Sequence, residues 1–132
     1  MVSSAAAESG GDPAAAGQPV VLVVEDEVML RVAVCMYLRT AGFMVIEASN
    51  ADDAVRVVES IRPLHLVFSD VNMPGSMDGN ALARWILQRH PSIRVLLTSA
   101  RGDRPEGPIR YVDKPYAFEG LVQTIRALLE QE

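Results

Sequence analysis

Val20-Val21-Leu22-Val23-Val24-Glu25-Asp26-Glu27 places five aliphatic residues without a break before three carboxylates. A continuous apolar run of this length is too short for a buried helix and suits a strand covered on both faces, as strands of parallel sheets are. Three later runs close on a polar residue in the same way: 66–69 before Asp70, 93–97 before Thr98, and 109–112 shortly before Lys114. Between these runs the apolar spacing is helical, and strands alternating with helices argue for βαβ units with helices on both faces of a parallel sheet. Parallel strands share a carboxyl edge, which is where open α/β sheets bind ligands. Asp26, Asp70, Thr98 and Lys114 are therefore expected at one rim. Two acids there suit a divalent cation, and a hydroxyl and an ammonium suit phosphate oxygens beside it.

The spacing predicts strands over 20–24, 44–48, 66–69, 93–97 and 109–112. It predicts a first helix over 28–40, with Leu30, Val34, Tyr37, Leu38 and Ala41 on its core face and Gly42 ending it. A second helix over 52–61 has Asn50 as its cap, Ala54, Val57, Val58 and Ile61 inward, and Pro63 beyond it. Gly79 opens a third helix carrying Leu82, Trp85 and Ile86, which ends at 89–91. The last helix, over 118–129, turns Leu121, Ile125 and Leu128 inward.

The chain has 132 residues and a formal charge of −5, enough for one folded domain. Its twelve basic residues are scattered, which argues against a nucleic-acid surface. The lone cysteine, Cys35, has no partner for an internal disulfide and reads as a small apolar residue. The longest strongly apolar stretch, 28–38, contains Arg31 and falls short of the roughly 20 residues of a membrane span. No secretory leader is recognisable, so a soluble cytoplasmic protein is expected. In 1–19, fourteen residues are Ala, Gly, Ser or Pro, a composition that cannot bury enough surface to offset ordering entropy. A disordered tail over 1–19 and a folded domain over 20–132 are expected.

Four motifs together carry a resemblance: Glu25-Asp26-Glu27; Asp70-Val71-Asn72-Met73-Pro74 continuing to Met77-Asp78-Gly79; Thr98-Ser99; and Lys114-Pro115. The chain resembles the CheY-like receiver domain of two-component response regulators, in a stand-alone form. The resemblance implies a three-layer, doubly wound, five-stranded parallel sheet of flavodoxin-like order 2-1-3-4-5. It implies that Asp70 takes a phosphoryl group from a phosphohistidine of a sensor histidine kinase or histidine phosphotransfer protein, carboxylates being competent nucleophiles. Mg²⁺ would be held by Asp26, Asp70 and the main-chain carbonyl of Asn72, with Glu25 acting through a water. Lys114 and Thr98 would assist the transfer, a cis Lys114–Pro115 bond aiming the ammonium. Thr98 and Tyr111 would form the switch that changes a surface read by a separate protein. Such a protein is a signalling phosphoprotein, not an enzyme acting on a separate substrate, and a monomer or weak dimer.

Each residue also has a plainer reading. Asp26 would serve as a helix cap, Asp70 with Asn72, Pro74 and Gly75 as a turn, Thr98 as a strand end and Lys114 as a solvated surface cation. His65 and His90, remote from the acidic edge, read as structural. A small phosphohydrolase of the haloacid dehalogenase type uses a similar quartet but places Asp-x-Asp on its first strand, whereas here Asn72 stands two residues after the candidate nucleophile. An unphosphorylated receiver-like scaffold is the third reading.

Two features depart from the family pattern. The Asp70 loop carries one extra residue within Met73-Pro74-Gly75-Ser76-Met77. The link over 99–108 holds Gly102, Pro105, Gly107 and Pro108 where the family has a helix, so that helix is expected to be absent or a single turn. Met29, Val32 and Met36 recur at i, i+3 and i+7 on a face of the first helix distinct from Leu30, Val34 and Leu38. They are either partly buried under neighbouring helices or an adaptable docking stripe, the resemblance placing this helix against the kinase's helical phosphotransfer bundle.

Overall fold

Strands β1 (Val20–Val24), β2 (Met44–Ala48), β3 (Leu66–Asp70), β4 (Arg94–Ser99) and β5 (Arg110–Asp113) form one sheet in the order β2-β1-β3-β4-β5, every pairing parallel. The computed structural model describes residues 17–100 and 108–131. The expected tail lies outside the described residues except for 17–19. So does 101–107, on which the expectation of a missing or single-turn helix falls. Among the described residues there are four helices: α1 (Val28–Thr40), α2 (Ala51–Ser60), α3 (Gly79–Arg89) and α4 (Phe118–Leu129).

The sheet is covered on both faces because successive strand residues point oppositely and both sets are apolar. Val20, Leu22, Val24, Val67, Val95 and Leu97 pack with Ala54, Val58, Leu82 and Ile86 of α2 and α3. Val21, Val23, Leu66, Phe68 and Leu96 pack with Val34, Leu38, Leu121 and Ile125 of α1 and α4. All five residues of β1 and of β3 are buried. Each large aliphatic side chain so placed contributes about 1.5–3 kcal/mol.

The helices begin and end as local chemistry dictates. The Asn50 side chain accepts the Asp53 N–H at 2.8 Å and Asp78 accepts that of Ala81 at 2.9 Å, capping α2 and α3. At the end of α1, Phe43 N–H reaches Leu38 O at 3.1 Å and Gly42 takes φ +108°, the left-handed close that glycine tolerates. Guanidinium groups from elsewhere engage other helix-end carbonyls: Arg126 donates to Ala41 O at 2.6 Å and Arg62 donates to Val58 O.

Some expectations need correction. Cys35, not Tyr37, fills the core face of α1: Cys35 is fully buried, while Tyr37 lies at the surface with its ring 5.4 Å from that of Phe118. Burial also raises the Cys35 thiol pKa to about 11, with Glu47 adding, so it stays an inert thiol. Ile61 stands outside α2 and is exposed. Strands β3 and β4 each run further than expected, so Asp70 and Thr98 lie within the ladder as register partners.

Gly79 sits where α3 starts against the end of β3. A Cβ there would fall 2.2 Å from Asp70 O and 2.7 Å from Val71 Cα, backbone atoms that cannot turn aside. Gly79→Ala is expected to lower unfolding free energy in urea by about 1–3 kcal/mol. Gly120→Ala, in a helix with nothing within 4 Å of the added carbon, should raise it by up to about 1 kcal/mol. Equal effects of the two substitutions would show that the close approach does not exist.

Candidate functional site

Hydrogen bonding continues one residue past several strands, and those extensions fix the site. Glu25 N–H donates to Ala48 O at 3.1 Å, Val71 N–H to Thr98 O at 2.9 Å and Lys114 N–H to Ser99 O at 3.2 Å. The backbone is thus still in register where the apolar runs give way to polar side chains. Arg31 supports this edge from α1, donating to Glu25 O at 2.9 Å and to a Glu47 carboxylate oxygen at 3.1 Å. Sequence reading missed Arg31, although its signal was there: it is the only charge in the apolar stretch over 28–38.

Asp70 is buried, and both its oxygens are held. Oδ1 accepts the Asn72 N–H at 3.1 Å, an Asx turn, so the plainer turn reading describes part of what Asp70 does. Oδ2 accepts from Lys114 Nζ at 2.7 Å. Glu25, also buried, accepts the Glu27 N–H at 3.0 Å and lies 3.4 Å from the same Nζ. Lys114 is therefore a partly buried cation between two carboxylates and not a solvated surface lysine. The Lys114–Pro115 peptide is cis.

Asp26 is exposed, yet one of its carboxylate oxygens lies within 4.8 Å of ligand atoms from both Glu25 and Asp70. The capping alternative for Asp26 fails, because Glu27 occupies the cap position of α1 and no side chain bonds its first turn. Thr98, 1% exposed, has a hydroxyl oxygen with no hydrogen-bond partner. Tyr111 is partly buried against the core layer of α2 and α3, and its hydroxyl donates to Asn80 Oδ1 at 2.7 Å. That contact with α3 left no trace in the sequence. The extra residue of the loop is absorbed by Gly75 at φ +112°, and Ser76 then bonds Asp52 of α2 at 3.1 Å.

The electrostatics follow from burial. Desolvation raises the Glu25 pKa above 4.5, while the Glu27 N–H and Lys114 pull the other way. Burial lowers that of Lys114, but its bond and charge contact with Asp70, reinforced by Glu25, outweigh this, and the net shift is upward. Burial, with Glu25 and Asp70 adding, raises the phenol of Tyr116, whose ring stands edge-on to Phe68 at 5.5 Å. Three carboxylates against one ammonium leave two negative charges, which one divalent cation would balance. The donor set therefore fits such an ion, all ligands being hard oxygens.

His65 and His90 lie at the opposite rim, and the His65 Nδ1 accepts the Val20 N–H at 2.9 Å, a structural role. Met29, Val32 and Met36 are exposed at 80%, 43% and 61%, so the partial-burial reading of the stripe does not hold. Among the described residues, no helix is long and apolar enough to cross a membrane.

A family model described as the response regulator receiver domain matches residues 21–126. The chain is 35% identical over 120 residues to the C4-dicarboxylate transport transcriptional regulatory protein DctD of Rhizobium meliloti (strain 1021), covering 86% of this chain and 26% of that protein. It is 31% identical over 124 residues to the sensor kinase CckA of Brucella abortus (strain 2308), covering 88% of this chain and 13% of that protein. It thus spans a small part of either relative. The crystal structure of the receiver domain of NtrX from Brucella abortus matches with a TM-score of 0.77 and 31% identity, over 85% of this chain and 99% of that one.

The surplus negative charge gives a test by linkage. Mg²⁺ at a hundred times its dissociation constant is expected to stabilise the fold by about 2.7 kcal/mol, read as a rise in Tm. Protons compete for the same oxygens. The rise should be full near pH 7 and fade as pH falls through the elevated Glu25 pKa toward 4.5. Asp26→Asn should weaken it, and a Tm indifferent to Mg²⁺ at neutral pH would refute the site.

Proposed function

The chain belongs to the response regulator receiver domain family, and from that premise we propose that it accepts a phosphoryl group on Asp70 from a phosphohistidine and signals through the surface this alters. The observation that carries the reading is the 2.7 Å contact between Lys114 Nζ and Asp70 Oδ2 inside the acidic trio. Receiver domains bind Mg²⁺ at an acidic pocket, and here Asp26, Asp70 and the main-chain carbonyl of Asn72 would hold it, with Glu25 acting through water. When bound, the ion supplies positive charge to the oxygens of the transferring group.

The rest of the work falls to the chain itself. An Asp70 oxygen attacks phosphorus in line; the new P–O bond forms as the P–N bond breaks, and the electron pair returns to the donor's imidazole. Phosphoryl transfer needs positioning and charge neutralisation more than covalent help, which suits an acceptor whose two oxygens are already fixed. Lys114 exchanges a carboxylate oxygen for a phosphoryl oxygen and remains a point charge throughout. The Thr98 hydroxyl, buried without a partner, gains an acceptor in the same oxygens. The added charge of roughly −1.5 to −2 biases two packings of the β4 and β5 ends, through Thr98 and Tyr111. The output is a changed surface read by a separate protein in the cytoplasm. No separate substrate is turned over, and no nucleic acid is bound.

Met29, Val32 and Met36 on α1 form the docking stripe for the donor's helical bundle, and the exposed Val28 extends it. Methionines adapt to a partner without a fixed shape of their own.

Intact mass after incubation with acetyl phosphate and Mg²⁺ should show one added phosphoryl group in the native chain and none in Asp70→Asn. Lys114→Met should slow the reaction by about 10²-fold or more. An unchanged native mass would leave a scaffold that keeps the fold without the chemistry. Met29→Glu with Met36→Glu should slow transfer at least tenfold from a histidine phosphotransfer protein that serves the native chain, with the acetyl phosphate rate unchanged. Equal slowing with both donors would remove the stripe from the account.

A further inference from the structure

At the rim where the strands begin, remote from the acids, a cavity of about 390 Å³ opens between the links that lead into β3 and β4 and the last turn of α4. Its polar lining is Arg62, Arg94, His65, His90 and Ser92, and it includes no carboxylate. On a chain of net charge −5 this is a concentrated positive spot. Nothing in the phosphoryl chemistry uses it.

The cationic groups are held in place while keeping donors in reserve. One Arg62 nitrogen bonds the carbonyls of Val58 and Ile61, and Arg94 bonds those of Leu128 and Gln131. A guanidinium carries five N–H donors, more than these carbonyls consume, and the anchoring lowers the entropy lost when a ligand binds. The His65 Nδ1 accepts from Val20 N–H, so the ring's proton sits on Nε2 as a further donor. His90 rests against Trp85, ring centroids 5.6 Å apart, which steadies a flat imidazole at the cavity wall.

Size and floor decide what fits. A water occupies about 30 Å³ of liquid, so a bare phosphate would leave most of the space wet. Pro63, Leu64, Ile93 and Leu129 make up the apolar part of the lining. Planar side chains and guanidinium groups stack on flat rings. We propose that this cavity binds a planar organic phosphate of nucleoside monophosphate size, its phosphate on Arg62 and Arg94 and its ring system against His90 and the apolar floor.

Trp85 is the only tryptophan, so its indole N–H gives a single reporter beside the cavity. The full chain is titrated with AMP, with GMP, with inorganic phosphate and with adenosine while that resonance is followed. A saturating shift with either nucleotide is expected, the two fragments binding at least tenfold more weakly. Arg62→Gln and Arg94→Gln should each weaken the nucleotide about tenfold or more, the scale of a lost charge-assisted hydrogen bond. Arg94→Gln also strips contacts from the end of α4, so Arg62→Gln and His90→Ala carry the test should it fail to fold. Acetyl phosphate should still phosphorylate Arg62→Gln at the native rate, which separates this site from the acidic one. The proposal is overturned by an unmoved Trp85 resonance at millimolar nucleotide, by inorganic phosphate binding as tightly as AMP, or by native affinity in Arg62→Gln.

Discussion

A parallel sheet sends the carboxyl end of every strand to the same rim, and this constraint organises the molecule. Four strands deliver Glu25, Asp70, Thr98 and Lys114 there, and the register fixes their relative heights: Val24 beside Ser69, Asp70 beside Thr98, Ser99 beside Asp113. Helices on both faces leave no room for charge along β1 or β3, where an unpaired ion would cost several kcal/mol. Charge is therefore excluded from β1, and from β3 short of its last residue, Asp70, and gathers at the carboxyl rim. The forces that bury the aliphatic residues also keep the site dry enough for its electrostatics to matter.

Within that rim the balance is deliberately incomplete. Asp70 and Glu25 each receive a backbone N–H and share one ammonium, so neither is an orphaned buried charge. Even so, Glu25 keeps a raised pKa, two negative charges remain uncompensated, and the Thr98 hydroxyl has no partner. An unsatisfied buried polar group costs about 1–3 kcal/mol. A cation and a phosphoryl group bound at this rim, as proposed, would diminish these costs together. Arg31 belongs to the same logic, holding Glu25 O to α1 while it pairs with Glu47 on β2.

Much of this was legible in the sequence because strand runs and their polar terminators are local signals. The run over 20–24 announces itself by type and position, Asp70 and Lys114 stand out only through their joint placement after such runs, and the strand order followed from the resemblance they carry. What stayed hidden depends on distant partners. Helical spacing cannot separate Cys35 from Tyr37 without knowing that Phe118 lies beside one of them. Nor can it show that Asn80 holds the Tyr111 hydroxyl, that Gly79 abuts Asp70 O, or that Arg62 and Arg94 line one cavity. Asp26 taken alone reads equally as a helix cap, and the backbone puts Glu27 in that position instead.

The central claim, that Asp70 is an acceptor served by Lys114 and Thr98, is tested most directly by a crystal structure with Mg²⁺ and trifluoroberyllate, a mimic of an aspartyl phosphate. The account predicts beryllium bonded to an Asp70 oxygen, with Lys114 Nζ and Thr98 Oγ1 both in hydrogen-bond contact with its fluorides. Asp70 left unmodified under those conditions, or an adduct from which Lys114 turns away, would contradict it.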